Sequence, residues 1–393
     1  MPEKKVNYRH TLAACYIGYI VQAIVNNLPA LLFTAFSRDL GLNTVMLSSL
    51  ITINFTVQLL TDAVSVKLLD KIGYRTAVVI SHLLCTVGLI LMGILPFAVS
   101  SPFAGLAVAM TVNAVGGGLI EVIISPIVEA IPGDEKASAM SLLHSFYCWG
   151  HMAVVIITTV MLLLAGADNW RYIPIIWAIV PFVNMLLFMT VPLNTLCEEG
   201  CSMPLRELLK SKALWLFLML MVCAGAAEQA MSQWTSYFAE TGLGVSKTMG
   251  DLLGPCGFAL FMGTARAFFA TKGKKISTHR AITASCVLCI AAYLGAVFSP
   301  LPILSLISCA VCGFSVGVLW PGTYSTAAKA CPLGGNAMFA LLALAGDLGC
   351  SLGPSTVGIV SDISGSFNMG LLCGIIFPIV MLIGMIKPAY HRE

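Results

Sequence analysis

The chain has 393 residues, 58% of them hydrophobic and 10% charged, with a formal net charge of +3. A soluble domain carries about 25% charged residues, so this composition belongs to the integral membrane class, with the lipid bilayer as its surroundings. It excludes nucleic acid as a partner, since no Lys/Arg-rich run gives the footprint such binding needs, and the lack of zinc-type Cys/His spacing, HExxH, triad spacing or phosphate loop argues against a metal, a cofactor or an enzyme.

The N-terminal MPEKKVNYRH is basic and leads into an apolar run over 11–36. As a helix that run reaches about 39 Å against a hydrocarbon core of roughly 30 Å. It is too long for a signal-peptide core and has no small-residue cleavage site, so it reads as a retained first span. Further apolar runs predict helices over 44–66, 76–98, 103–130, 137–165, 170–192, 213–239, 247–270, 279–298, 302–328, 336–360 and 367–386. The longest polar break falls at the midpoint. It predicts an N-terminal six-helix bundle over 1–192, a cytoplasmic loop over 193–212 and a C-terminal six-helix bundle over 213–393. With the N-terminus in the cytoplasm, only Arg38, Arg171 and Lys247 of the 21 Lys and Arg residues fall in outer segments. That bias supports the helix count and places both termini inside.

Polar residues inside these spans are costly and mark candidate sites. The first span carries Gln22, Asn26 and Asn27, with Gln22 and Asn26 four apart on one face. The fourth reads GGGLIEVIISPIVEAIP over 116–132, with Glu121 in its middle. An ionised acid at the bilayer centre costs roughly 2.5–3.5 kcal/mol, so Glu121 must meet a partner or an aqueous route. Gly116, Gly117 and Gly118 are expected to thin one face of this helix, and Pro126 to bend it. In the fifth span His144, Tyr147 and His151 share a face. Glu121 and His144 both fall roughly 12–15 Å inside the inner surface, which makes them a candidate shared proton site.

The seventh span carries Glu228, Gln229, Ser232, Gln233 and Trp234, a candidate substrate stripe. In the tenth, Trp320 and Tyr324 are spaced to stack on a sugar face or to pack between helices. Asp62, Arg266 and Asp347 lie toward inner helix ends, where an ion pair of Arg266 with either acid would be structural or gating. Most of the 14 cysteines sit inside apolar runs, where Cys behaves as a small hydrophobe. Cys286 and Cys289 have redox-motif spacing but lie in an apolar helix, and Cys197 and Cys201 fall in the polar mid-chain loop as free thiols.

The halves echo each other at one offset. LLDKIGYR (68–75) aligns with FFATKGKK (268–275), and AIPG (130–133) with ACPL (330–333). Parallel six-helix repeats are a transporter architecture. Asp70-Lys71-x-Gly73-x-Arg75 resembles the signature loop of the major facilitator superfamily, with Val66 in place of the usual leading glycine. The resemblance implies an all-α polytopic membrane protein: twelve transmembrane helices in two six-helix bundles, related by a pseudo-twofold axis along the membrane normal and working by alternating access. It also implies a gating role for Asp70 and its loop. IVNNLPALL (24–32), GGGLIEVIISP (116–126), LLHSFYCWG (142–150) and GAAEQ (225–229) resemble segments of the fucose permease group of sugar–proton symporters. That match implies proton handling by Glu121, while the group's other acidic position falls on Ala30.

Three functions follow as expectations. The leading one is proton-coupled symport of a small polar solute such as a carbohydrate, by a monomer in a bacterial inner membrane. The alternative is a multidrug or cationic-metabolite/proton antiporter, for which Glu121, Glu228, Asp347 and the 19 Met residues are apt. Against it, residues 137–165 lack the proline of the antiporter motif. A membrane enzyme or non-transporting sensor comes third, because the polar residues are spread over many helices.

Overall fold

A computed structural model describes residues 8–131, 136–193, 205–272, 277–331 and 335–386. Among the described residues the chain is helical with no strand, and each of the twelve expected spans coincides with a helix. These are α1 (Arg9–Leu31), α2 (44–72), α3 (74–98), α4 (Pro102–Glu129), α5 (Lys136–Ala165), α6 (Tyr172–Trp177 and Ile179–Thr190) and α7 (Lys212–Tyr237). They continue with α8 (Lys247–Asp251 and Gly257–Lys272), α9 (Thr278–Phe298), α10 (Pro302–Ala330), α11 (Gly335–Ser364) and α12 (Phe367–Cys373 and Ile376–Ile386). Eleven are long and apolar enough to cross a membrane, and α11, with 30 residues, is the remaining long helix. A short helix, Phe33–Leu40, follows α1 and ends on Gly41 at φ 68°.

Local chemistry sets the ends. Ser101 accepts a bond from the Ala104 N–H at 3.4 Å, with Pro102 at the first helical position of α4, and Ser211 caps α7 through Leu214 in the same way. Between α2 and α3 the helical path breaks at Gly73, where φ is 74° and ψ 157°, a conformation that essentially only glycine adopts.

Contacts gather the chain into two units. Unit 1 comprises 1–29 and 57–198, and unit 2 comprises 30–56 and 199–393. The first half of α2 therefore belongs to unit 2, where it meets α11. Along it Thr52 bonds Ser355, Thr56 bonds Ser351 at 3.2 Å, and Ser48 fits against Gly358, where a Cβ would come within 2.4 Å of the Ser48 Cβ.

The core of unit 1 joins α1, α3, α4 and α6 through residues such as Cys15, Val21, Val78, Ile120, Ile124 and Phe188, all buried. Gly116–Gly118 do not thin a single face. Successive helical residues point about 100° apart, and each glycine meets a different neighbour. A Cβ at Gly116 would meet Cys85 of α3 at 2.6 Å, one at Gly117 Val25 of α1 at 2.9 Å, and one at Gly118 Asp62 of α2 at 2.9 Å. Three helices thus close on α4 one turn before Glu121. In unit 2, α7 and α11 approach as closely: a Cβ at Gly349 would lie 2.0 Å from the Val222 carbonyl oxygen, and one at Gly353 2.3 Å from that of Ala226. Small residues let helix backbones come together where lipid gives no hydrophobic drive between helices.

Candidate functional site

Among the described residues each unit holds a polar cluster in its span region. In unit 1 the cluster is built by α1, α2 and α4. The Gln22 side-chain amide donates to Glu121 Oε2 at 3.1 Å and to Gln58 Oε1 at 2.8 Å. Gln58 donates onward to Asn26 Oδ1 at 2.8 Å. Gln22, Asn26 and Gln58 are buried, and Glu121 is half-buried. Among the described residues the group that bonds Glu121 is a neutral amide, that of Gln22. Asn27 donates to the Ala23 carbonyl at 2.9 Å and reaches the Tyr147 hydroxyl at 3.5 Å. The side chain of His144, expected beside Glu121, lies outside the described residues. His151 is buried on α5.

The structure thus brings Gln22, Asn26 and Glu121 together, and it does so through Gln58, which the sequence reading passes over. A signal was present: Asn54, Gln58 and Asp62 recur every four residues of α2, a spacing that marks one helix face. Asp62 is buried against Gly118.

In unit 2, Glu228 Oε2 lies 3.4 Å from the Arg266 guanidinium. Gln229 donates to Glu228 Oε1 at 3.5 Å, and Gln233 to Gln229 Oε1 at 2.9 Å. Glu228, Gln229 and Gln233 of the stripe on α7 are therefore one bonded series anchored on an ion pair. Arg266, expected near Asp62 or Asp347, meets Glu228; Asp347 is buried on α11.

Trp234, expected to touch substrate, is wholly buried. Its indole N–H is committed to the Pro354 carbonyl at 3.0 Å, and its ring lies 5.5 Å from Phe33 and 5.3 Å from Phe367. Its contacts are those of a packing residue, because its one donor is spent on backbone. Trp320 sits half-buried over Gly346, where a Cβ would come within 2.1 Å of its ring, and its centroid is 6.3 Å from that of Tyr324.

Of the gating residues, the side chains of Asp70 and Lys71 lie outside the described residues. Gly73 supplies the break between α2 and α3. Arg75 donates to the carbonyls of Phe188, Met189 and Val191 at 2.9, 2.9 and 2.8 Å, closing the C-terminal end of α6 as a basic residue does for orphan carbonyls. A further buried cluster was not anticipated. Lys247 lies 2.7 Å from Asp251 one turn on, and both meet the Ser236 hydroxyl at the far end of α7. Counting Lys247 only as a topology charge hides this i, i+4 pair.

Buried histidine and thiols elsewhere are accounted for by structure. Asn184 donates to His82 Nε2 at 2.8 Å, which leaves Nδ1–H to donate to the Val78 carbonyl at 2.8 Å. None of the twelve described cysteines is in a disulfide, and Cys289 meets Cys312 at 3.8 Å.

Solved structures with this fold are transporters. The chain is similar to an Escherichia coli fucose:proton symporter at 16% identity and TM-score 0.66, covering 96% of this chain and 98% of that one. It is similar to a D-xylose-proton symporter at 13% identity and TM-score 0.78, covering 96% of each chain. It is likewise similar to a nucleoside transporter at 13% identity and TM-score 0.78, over 96% of this chain and 99% of that one. No curated protein sequence matches it. A family model described as Major Facilitator Superfamily matches residues 15–354, and the chain is a multi-pass membrane transporter of that superfamily.

Proposed function

We propose that the protein is a proton-coupled symporter of a small polar solute, most simply a sugar, with Glu121 carrying the coupling proton. One observation carries this reading. Glu121 sits in the span region of α4 bonded by a neutral amide, Gln22, a group that can meet both its ionised and its protonated form. A carboxylate met by a guanidinium has no such freedom. An acid that is neutral in one setting and ionised in another links proton movement to a change of state. The amides of Gln22, Gln58 and Asn26 around it are groups that bond sugar hydroxyls, and Tyr147 with Asn27 extends that set. Two of the solved structures with this fold are by name sugar–proton symporters, which favours the same substrate class.

Alternating access of the expected bundles, 1–192 and 213–393, supplies the transport step. The placement of residues 30–56 with unit 2 suits a chain whose outer segments exchange partners, and the hydroxyl pairs of Thr52 and Thr56 break cheaply in water. The gating set on this reading is Asp62, Asp70, Lys71, Gly73, Arg75 and Asp347. Arg75 and Gly73 shape the inner ends of α3 and α6. Gln229, Gln233, Trp320 and Tyr324 form the second half of the substrate set, and His144 joins Glu121 at the proton site. The cationic-substrate alternative loses one of its acids, since Glu228 already faces Arg266. The protein acts as a monomer with both termini cytoplasmic, in a bacterial inner membrane.

The test is uptake into proteoliposomes of the solutes selected by a thermal-shift screen of sugars, polyols and nucleosides. External acidification raises uptake, because a proton enters with solute. Accumulation by Glu121→Gln equal to that of the unsubstituted protein would overturn the assignment.

A further inference from the structure

The hydrogen bonds between Glu121 and Asn26 all run in one direction, and that direction depends on a proton. An ionised carboxylate only accepts, whereas a protonated one also donates. The two N–H bonds of the Gln22 amide go to Glu121 Oε2 at 3.1 Å and Gln58 Oε1 at 2.8 Å, and Gln58 Nε2 goes to Asn26 Oδ1 at 2.8 Å. Every donor points as an ionised Glu121 requires. One atom is left over. Gln22 Oε1 is buried without a hydrogen-bond partner, beside Gly117, where a Cβ would stand 3.2 Å from it. Gln22 is 3% exposed, so water does not satisfy that oxygen from outside. A buried orphan acceptor carries a cost of about 1–3 kcal/mol. An amide's oxygen and nitrogen are nearly alike in size, so a half-turn of the group exchanges donor and acceptor within the same space.

We propose that Gln58 is a positioning residue that passes the protonation state of Glu121 to Asn26. The inference rests on the reading of Glu121 as the proton carrier. A hydronium ion gives its proton to the Glu121 carboxylate, forming one O–H bond and leaving water. Gln22 then turns so that its formerly orphaned oxygen accepts that O–H. The same oxygen now faces Gln58, which turns to donate its Nε2 to it. The Gln58 oxygen in turn faces Asn26, which turns to donate its Nδ2. Proton release reverses the three half-turns. At Asn26 the side of the amide away from Gln58 changes from donor to acceptor, so whatever group meets that side meets a different partner in each protonation state. Gln58 is the link because its two polar atoms touch Gln22 and Asn26 separately.

The groups around this chain have other commitments. Tyr19 of α1 bonds Ser125, one turn beyond Glu121, at 2.9 Å. Asp62 of α2 lies against Gly118, and His82 of α3 is bonded to Val78 and Asn184. On α5, Tyr147 reaches Asn27 and His151 is buried, while the side chain of His144 is outside the described residues. The series Glu121–Gln22–Gln58–Asn26 itself contains one titratable group.

Infrared difference spectra between alkaline and acid buffer test this on the full chain in lipid membranes, with side-chain 15N label on Asn or on Gln and no solute needed. The expected result is a protonated-carboxyl band that Glu121→Gln abolishes, accompanied by an Asn amide shift that Asn26→Leu abolishes. In Gln58→Met the carboxyl band stays and the Asn26 shift is lost. Persistence of that shift in Gln58→Met overturns the relay. So does a carboxyl band in the unsubstituted protein with no Asn shift beside it, an outcome that needs no variant at position 58 to fold and leaves Glu121 as proton carrier standing. Absence of any carboxyl band that depends on Glu121 overturns the proton-carrier reading, and the relay with it.

Discussion

Glu121 in unit 1 and Glu228 in unit 2 are both acids inside apolar helices, and they are accommodated by different means. Glu228 lies 3.4 Å from Arg266, a guanidinium that keeps its proton at any physiological pH. Its charge is met by a fixed charge, so removing either partner unbalances the pair. Glu121 is bonded by the Gln22 amide, which balances nothing but can reverse its polarity. The first arrangement holds a charge in place, and the second tolerates its appearance and disappearance. Residue type is the same in both; the partner decides whether the acid is a structural ion or a switch.

The largest effect expected from this contrast is on transport. With a gradient of one pH unit, one-proton symport supports at most about tenfold accumulation, since 1.4 kcal/mol corresponds to a factor of ten. Glu121→Gln brings that ratio to unity in proteoliposomes while solute exchange across the membrane continues. The stability consequences run the other way. Glu228→Gln removes the charge that Arg266 meets at 3.4 Å. Breaking a buried pair costs about 3–5 kcal/mol, and with the Arg266 side chain 22% exposed the loss here is at the low end, about 3 kcal/mol. Adding Arg266→Met recovers most of it. Glu121→Gln replaces a half-buried carboxylate bonded by an amide with a second amide of the same shape and does not lower the unfolding midpoint in detergent. Equal destabilisation by the two Glu→Gln substitutions would break the comparison.

Much of this was legible in the sequence. Hydropathy and the distribution of 21 basic residues are properties of whole segments, and they gave all twelve helices. The i, i+4 spacing of Gln22 and Asn26 placed both on one face, where one residue of α2 bonds the two of them. The acid in the glycine run announced itself by its cost. What stayed hidden depends on which side of one helix faces which side of another. Arg266 has three acids at similar depth, and periodicity alone does not choose Glu228 among them. Trp234 has the same composition-level appearance whether it faces solute or Phe33 and Phe367. The glycine run looked like one thin face because the eye reads adjacent letters as adjacent in space, whereas a helix turns each to a different neighbour. Gln58 was readable from the Asn54–Gln58–Asp62 spacing, and Lys247–Asp251 from its own.

Converting one kind of acid into the other sharpens the contrast further. Gln22→Lys sets an ammonium beside Glu121 and makes it resemble Glu228. The carboxylate is retained, yet its charge is now matched, so loss of the proton no longer leaves a lone charge and gain of one strands the lysine. Uptake in this variant is slowed and its acceleration by external acid flattens, as read from initial rates across a pH series. A steep pH response surviving in Gln22→Lys would show that the neutral amide partner is not what makes Glu121 responsive.

The smallest expected effect concerns the glycines that let the partners approach. At Gly117 an added Cβ meets the Val25 side chain at 2.9 Å and Gln22 Oε1 at 3.2 Å. Both are ends of side chains, which yield by a small rotation, so Gly117→Ala costs about 1 kcal/mol, the low end for overpacking. At Gly225 of unit 2 the Cβ meets the Gly346 carbonyl oxygen at 2.3 Å. Backbone does not yield in that way, α7 and α11 must separate, and Gly225→Ala costs about 2–3 kcal/mol. The milder substitution is nonetheless the more informative for function. Displacing Gln22 by a few tenths of an ångström lengthens the bonds to Glu121 and Gln58 together, so Gly117→Ala weakens coupling more than it weakens the fold. Gly225→Ala, whose clash falls on helix packing and not on the ion pair, lowers the unfolding midpoint and leaves the accumulation ratio of the protein that remains folded unchanged.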